Sequence, residues 1–287
     1  MNSGFTQVTK GLIPTLATNF GIQVCCWGVA AALRTEKFYD FAGSTSFLVC
    51  TYLSLFQPWD KHSVTLDTRH PRQLLASATT AAWAIYLGSF LFERTLRHGD
   101  KRFNKVKRKP GLFLVYWLVQ GAWVALTALP VYLTNVIPAE SHPSLDLQDF
   151  LGLALWAGGF IFEVVANYQK RQWRQQVGPD YKRSFISHGL WSISRHPNYF
   201  GECVLWAGSY LLSSSSFSSA LQDPAVISRW WTRLALFSPL FVTFLITRVS
   251  GIPLLEKEND RRLKDVVAYW KYKKETSMFV PRPVMRS

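Results

Sequence analysis

Residues Gly11–Leu33 read GLIPTLATNFGIQVCCWGVAAAL and contain no Asp, Glu, Lys or Arg. A helix needs about 20 mostly apolar residues to cross the hydrocarbon core of a bilayer, and this run supplies them. Working outward, six more runs of the same kind follow: Phe38–Gln57, Gln73–Phe92, Gly111–Ile137, Phe150–Asn167, Tyr199–Phe217 and Trp231–Ile252. The third and fourth runs also lack charge, and the second carries Asp40 near its start. The pattern predicts an all-α polytopic membrane protein of about seven transmembrane helices. Pro14 and Pro130 fall inside runs, where neighbouring helices can satisfy the carbonyls that a proline frees. Trp59, Trp117, Trp156, Trp191 and Trp230 fall at or near predicted ends, as an interfacial aromatic belt requires.

Composition agrees. Of 287 residues, 48% are hydrophobic and 17% charged, with 32 Lys+Arg against 18 Asp+Glu, a net charge of +14. That excludes a disordered chain. It argues against a nucleic-acid partner, because the apolar residues lie in unbroken runs and do not alternate with basic ones. Cys25, Cys26, Cys50 and Cys203 sit inside the runs with no His at ligand spacing, so they read as small buried hydrophobes, and no metal site is expected. The first run is too long for a cleavable signal sequence.

Charge in the loops sets the orientation. The stretch from Arg94 to Lys109 holds Arg94, Arg97, Lys101, Arg102, Lys105, Lys107, Arg108 and Lys109, whereas 138–149 holds acids and no Lys or Arg. The stretch 170–195 and the tail from Glu256 are basic again. The positive-inside rule then places those basic segments and the C-terminus in the cytosol, and parity places the N-terminus on the far side. The loop with Lys61, Arg69 and Arg72 fits this assignment poorly.

Ionisable groups inside the membrane are costly and are functional candidates by default. On this topology Asp40, Glu93, Glu163, Asn167, Glu202 and Arg248 all fall toward the cytosolic leaflet, which predicts a shared polar pocket opening to the cytosol. Glu163, Asn167, Arg171 and Arg174 are spaced 4, 4 and 3, one face of a helix. Guanidiniums at a pocket rim suit phosphate through bidentate hydrogen bonds. A basic stripe on anionic lipid is the alternative.

The richest stretch is GLWSISRHPNYFGE, Gly189–Glu202. Pro197 suits a helix start. Beside it Arg195, His196, Asn198 and Tyr199 offer a fixed cation, a titratable ring, an amide and a phenol, a set that could bind phosphate, ribose and a carboxamide. The tripeptide Arg69-His70-Pro71 repeats part of this without the continuation, and reads as chance or as a helix cap. No G-x-G-x-x-G, Walker, H-E-x-x-H or G-x-S-x-G motif is present, so a nucleotide would bind by a non-Rossmann route. The serine-rich 213–219 reads as a flexible non-cytosolic loop end.

The Gly189–Glu202 stretch resembles the signature of the steroid 5-alpha-reductase C-terminal superfamily, and within it the branch of short membrane reductase-like proteins. Lys37-Phe38-Tyr39-Asp40, Asp100-Lys101-Arg102-Phe103, Phe162-Glu163 with Asn167, Pro253-Leu254-Leu255-Glu256-Lys257 and the tail from Tyr269 to Pro281 carry weaker likeness. The resemblance implies a single seven-helix membrane domain over 1–287. Residues 1–137 would face a lipophilic small-molecule substrate, and 147–287 would hold NADPH in a cytosol-facing cavity. It implies cofactor contacts at Glu163, Asn167, Arg174, Asn198, Glu202 and Arg248, with Arg195, His196 and Tyr199 beside them and Arg171 on the same stripe. It also implies residence in the endoplasmic reticulum. Relatives commonly carry Asp where Asn167 stands and often Arg where Tyr86 stands, and Leu91 falls about where the steroid reductases place a tyrosine.

The expected reaction is reduction of a carbon–carbon double bond conjugated to a carbonyl in a sterol, polyprenoid or fatty substrate. The carbonyl would be polarised by Tyr39, Asp40 or Tyr86, with Tyr39 and Asp40 sharing the leaflet of Glu163 and Glu202. An S-adenosylmethionine-dependent membrane methyltransferase of the isoprenylcysteine carboxyl type is the second reading, since such enzymes share an Arg-His-Pro-x-Tyr element. Asn198, Glu202 and Arg174 favour the reductase. A transporter would carry polar groups near the midplane and internal repeats, and neither is seen here.

Overall fold

The computed structural model describes residues 6–57, 65–98 and 103–283, and among them there is no strand. The helices are α1 (Gln7–Leu33), α2 (Tyr39–Phe56), α3 (Pro71–His98), α4 (Pro110–Thr127), α5 (Leu129–Val136), α6 (Leu147–Val177), α7 (Pro197–Ser214), α8 (Phe217–Ala220) and α9 (Arg229–Phe244). A π-helical turn, Leu245–Val249, leads into α10 (Gly251–Arg262), and α11 (Val267–Glu275) follows. Among the described residues, five helical segments are long and apolar enough to cross a membrane: Gln7–Leu33, Pro71–Glu93, Pro110–Thr127, Leu147–Val177 and Arg229–Arg262. The chain is an all-helical integral membrane protein. The second and sixth expected spans are helices too, α2 and α7, of 18 residues each, but they carry more polar side chains and are not among those five.

One expected span is two helices. The backbone breaks at Ala128, between α4 and α5, two residues before Pro130. A proline inside a helix lacks the N–H for its i−4 carbonyl and clashes with it, so the chain restarts there, with Pro130 in the first turn of α5. The serine-rich stretch is also not a loose loop. Ser213 and Ser216 are fully buried, Ser216 Oγ donates to the Ser213 carbonyl at 3.0 Å, and that carbonyl also accepts from Thr134 Oγ1 at 3.1 Å.

The helices fall into two compact units. The first comprises residues 1–152 and 209–238. Within it α2 packs on α3, α1 and α5, and α1 on α4. Lipid tails give no hydrophobic drive between helices, so polar side chains and close packing hold them together. Thr15, Asn19 and Gln23 form one buried stripe on α1. Asn19 Nδ2 donates to the Gly121 carbonyl at 2.7 Å and Gln23 Nε2 to Ser46 Oγ at 2.8 Å. Gln120 Nε2 closes the set, donating to Gln23 Oε1 at 3.1 Å and the Tyr39 carbonyl at 3.0 Å. At the other end of α2, Asn135 Nδ2 donates to Ser54 Oγ and Ser77 Oγ, both at 3.0 Å. Gln73 Nε2 caps α5, donating to the carbonyls of Thr134, Asn135 and Ile137.

The Arg69-His70-Pro71 tripeptide starts α3: the His70 N–H donates to Gln73 Oε1 at 2.9 Å. Next to it lies a fully buried ion pair. Arg72 is fully buried and forks onto Asp149, with Nε–Oδ1 2.6 Å and Nη2–Oδ2 2.7 Å. Its remaining donors reach the carbonyls of Pro143 and Ser144. The rings of His70 and His142 stack beside the pair, 4.9 Å apart. Removing one member of a buried ion pair strands the other charge. Arg72→Ala or Asp149→Ala will each lower stability by about 3–5 kcal/mol. The double replacement Arg72→Met with Asp149→Leu will lie closer to wild type, as read by thermal unfolding in detergent.

Burial, followed by the nearby His70 and Arg72, pushes the pKa of His142 down to about 3. The unfolded chain therefore binds more protons than the folded one below about pH 6.5, and stability falls as the pH drops. At pH 5 this one ring costs about 2 kcal/mol. In melting curves between pH 7 and 5, His142→Gln will flatten that loss.

Candidate functional site

The second unit comprises residues 153–208 and 239–287, and it holds the Gly189–Glu202 motif. Its geometry begins with two glycines. A Cβ on Gly201 would lie 2.6 Å from the Gly159 carbonyl oxygen and 2.7 Å from the Glu163 nitrogen, and one on Gly159 would lie 2.5 Å from the Leu205 nitrogen. Helices α6 and α7 therefore touch backbone to backbone, an approach that side chains would forbid. The contact brings Glu163, 2% exposed, beside the first turns of α7, where Asn198 and half-buried Glu202 sit four residues apart. Glu163 and Glu202 both lie within electrostatic reach of the Cys203 thiol.

The segment before α7 is built against α6. Trp191 Nε1 donates to the Ala166 carbonyl at 3.0 Å, and the Leu190 N–H donates to Gln169 Oε1 at 2.9 Å. Gly189 has φ +60°, and a Cβ there would meet the Gln169 amide at 2.6 Å. Trp191 packs with Trp173 and Ile186, and Lys170 Nζ sits 4.5 Å from its ring centre. The tail then straps this segment. The Arg195 N–H donates to the Ser277 carbonyl at 2.8 Å, Ser194 Oγ to the Phe279 carbonyl at 2.7 Å, and the Arg282 N–H to the Ile193 carbonyl at 3.0 Å. Tyr272 OH donates to the Trp191 carbonyl at 2.6 Å.

Glu256 of α10 is the hub. Its Oε1 is 2.8 Å from His196 Nε2, and its Oε2 is 3.2 Å from both Arg195 Nη1 and Lys273 Nζ. Lys273 also pairs with Asp260 Oδ1 at 2.5 Å, and Tyr269 OH donates to the same oxygen at 2.8 Å. Burial, the first cause, lowers the pKa of His196 despite Glu256, so the ring is neutral near pH 7. Burial and Asp260 raise the Tyr269 phenol, and burial raises that of Tyr272. Buried atoms here without a hydrogen-bond partner among the described residues include Arg195 Nε, His196 Nδ1 and Asn198 Oδ1. Such atoms fit a ligand that supplies the missing partners.

The candidates fall as follows. Glu163, Asn167, Arg195, His196, Asn198, Tyr199 and Glu202 gather at the α6–α7 end of this unit, with Asn167 6% exposed. Arg171 and Arg174 are exposed along α6. Arg248 is exposed on the π turn, and Gly251, two residues beyond that turn, would meet the Tyr199 ring at 3.0 Å with a Cβ. π turns recur at functional sites. Tyr39, Asp40 and Tyr86 belong to the first unit. There Tyr39 OH donates to the Tyr116 carbonyl at 2.8 Å with its ring against Phe103 and Trp117, Asp40 lies in the first turn of α2, and Tyr86 stacks on Phe90.

Sequence reasoning did not single out Glu256, Asp260, Tyr269 and Lys273 as partners. The available signal was two i,i+4 pairs, acids at 256 and 260 and a phenol and an amine at 269 and 273, on consecutive helices.

A family model described as "Protein of unknown function (DUF1295)" matches residues 26–276, which span both units. The chain belongs to the DUF1295 family. A search of curated proteins and a search of solved structures each returned no match. The DUF1295 match contains the whole Gly189–Glu202 motif and the Glu256 hub, and stops short of the strap residues Ser277, Phe279 and Arg282. Gly201→Ala forces a methyl into the α6 backbone, and overpacking of this kind costs about 1–3 kcal/mol. In this DUF1295 protein it will lower the detergent melting temperature, whereas Gly158→Ala, a position with open space beside it, will not.

Proposed function

We propose that this protein is a membrane-embedded, NADPH-dependent reductase of a conjugated carbon–carbon double bond in a lipophilic substrate, of the steroid 5-alpha-reductase-like type. The observation that carries the reading is the group of buried, unpartnered polar atoms at the start of α7, beside the α6–α7 crossing. Single orphaned atoms occur elsewhere, as at Asn19 Oδ1, but here three fall within four residues, 195–198, and a nucleotide offers partners to all of them. The exposed guanidiniums of Arg171 and Arg174 on the same helix as Glu163 suit its phosphates, and Arg174 a 2′-phosphate. Arg248 adds a third cation. Glu163, Asn167 and Glu202 would bind amide and hydroxyl groups.

NADPH, when bound, supplies the hydride. The chain's own part is to orient the ring, exclude water and polarise the substrate carbonyl. We assign that last role to Tyr39 or Asp40, with Tyr86 as the other candidate. To donate to a substrate, the Tyr39 phenol must give up its bond to the Tyr116 carbonyl. The proposal extends to seven membrane crossings, with the basic loops and the C-terminus cytosolic, and to the endoplasmic reticulum.

The test is NADPH binding and consumption by the purified protein with sterol and polyprenal enones. Wild type will bind NADPH more tightly than NADH. Arg174→Ala will erase most of that preference, a loss of about tenfold or more in affinity for NADPH, because a charge-assisted phosphate contact is worth about 1.5–3 kcal/mol. Binding of S-adenosylmethionine with no response to NADPH would replace this reading with the methyltransferase one.

A further inference from the structure

His196 is 2% exposed and is the only described histidine tied to a hub of charge by one nitrogen while the other has no partner. Its Nε2 faces Glu256 Oε1 at 2.8 Å. That carboxylate is flanked by Arg195 and Lys273, each 3.2 Å from its other oxygen, so it only accepts hydrogen bonds. The proton of the neutral ring must then sit on Nε2, which leaves Nδ1 as a bare acceptor. The backbone holds the ring in place from behind: the His196 N–H donates to Ser194 Oγ at 3.2 Å, and Ser194 Oγ donates to the strap at Phe279. Tyr199 lies against one face of the ring, with centroids 6.0 Å apart.

Resting on the reading above, we propose that Glu256 is a positioning residue. It locks His196 as the Nε2–H tautomer, so that Nδ1 accepts from a neutral donor of the bound cofactor, an amide N–H or a sugar hydroxyl, and does not bind a phosphate. The phosphates are left to the arginines. This divides the site chemically: an acceptor end at His196 and Asn198, whose Oδ1 is likewise unpartnered, and a cationic end along α6.

The groups that act on His196 come from every element around it: Glu256 of α10, Lys273 of α11 through Glu256, Arg195 of its own segment, Lys170 of α6 and Tyr199 of α7. Protonation would put a hydrogen on Nδ1 and turn the acceptor into a donor. Cofactor affinity is therefore full at neutral pH and falls as the pH drops through the lowered pKa of this ring.

Two measurements on the full chain in nanodiscs test this. In the cofactor-free protein, 15N spectra of labelled histidine will assign to His196 a protonated Nε2 and a bare Nδ1, and Glu256→Gln, whose amide can accept or donate, will mix the tautomers. In NADPH titrations from pH 5 to 8, His196→Gln keeps an amide near the Nε2 position and loses the Nδ1 acceptor, whereas His196→Asn places an amide oxygen near Nδ1. His196→Gln will weaken binding about tenfold more than His196→Asn, the worth of one buried hydrogen bond, and both will flatten the pH dependence. A proton on Nδ1, an unchanged tautomer in Glu256→Gln, equal losses in the two variants, or wild-type affinity that is flat with pH would each overturn the proposal. Wild type that fails to bind NADPH at any pH, with the tautomer as stated, would overturn the cofactor reading and with it this assignment of the donor.

Discussion

A polar side chain buried among membrane helices has to find its partner inside the protein, because neither lipid nor bulk water will supply one. The rest of this structure follows from how that constraint is met. In the first unit it is met completely around Arg72, whose donors reach Asp149 and the carbonyls of Pro143 and Ser144. Along α1 amides read across to α2 and α4, with Asn19 Oδ1 left over. In the second unit it is met on one side only. Glu256 gathers His196, Arg195 and Lys273, yet atoms just beyond them have no described partner. Atoms without partners occur in the first unit too, Asn19 Oδ1 and Thr51 Oγ1 among them; what marks the site is that three fall within residues 195–198, beside a hub of charge.

The two units also differ in what lets helices approach. In the first, side-chain amides and hydroxyls bridge the helices. In the second, α6 and α7 meet through Gly159 and Gly201 with nothing between the backbones. A direct backbone contact holds the two helices in one register, so Glu163 and Asn198 are set relative to each other by main chain and not by rotamers. That suits groups that must meet a ligand in one geometry.

Much of the helical layout was legible because lipid demands long uncharged runs, and all seven expected runs contain helix. The break at Ala128 was not read from the sequence, since Pro130 is tolerated or disruptive according to its neighbours. The buried serines near 213 were misread because serine signals a loop in water but bonds to the preceding turn of a helix when buried. At the site, the residues before and within α7 were legible as a cluster of chemically unlike groups around one proline. Their anchors were not. Glu256, Asp260 and Lys273 look like ordinary charges of a basic tail, and only folding brings that tail to residues 60–78 positions earlier. The Arg72–Asp149 pair escaped for the same reason, since its partners are 77 positions apart.

The strap has a consequence for biosynthesis. The hydroxyl of Ser194 waits for a carbonyl 85 residues downstream. At about 5–20 residues per second, that is roughly 4–17 s of further translation. During this interval α6 and α7 can already be side by side in the bilayer, with Trp191 and Leu190 bonded to α6, while the Ser194–Arg195 corner still lacks the two bonds that the tail supplies. The pocket is thus finished last, from the outside, by the segment that leaves the ribosome after every apolar helix has been made.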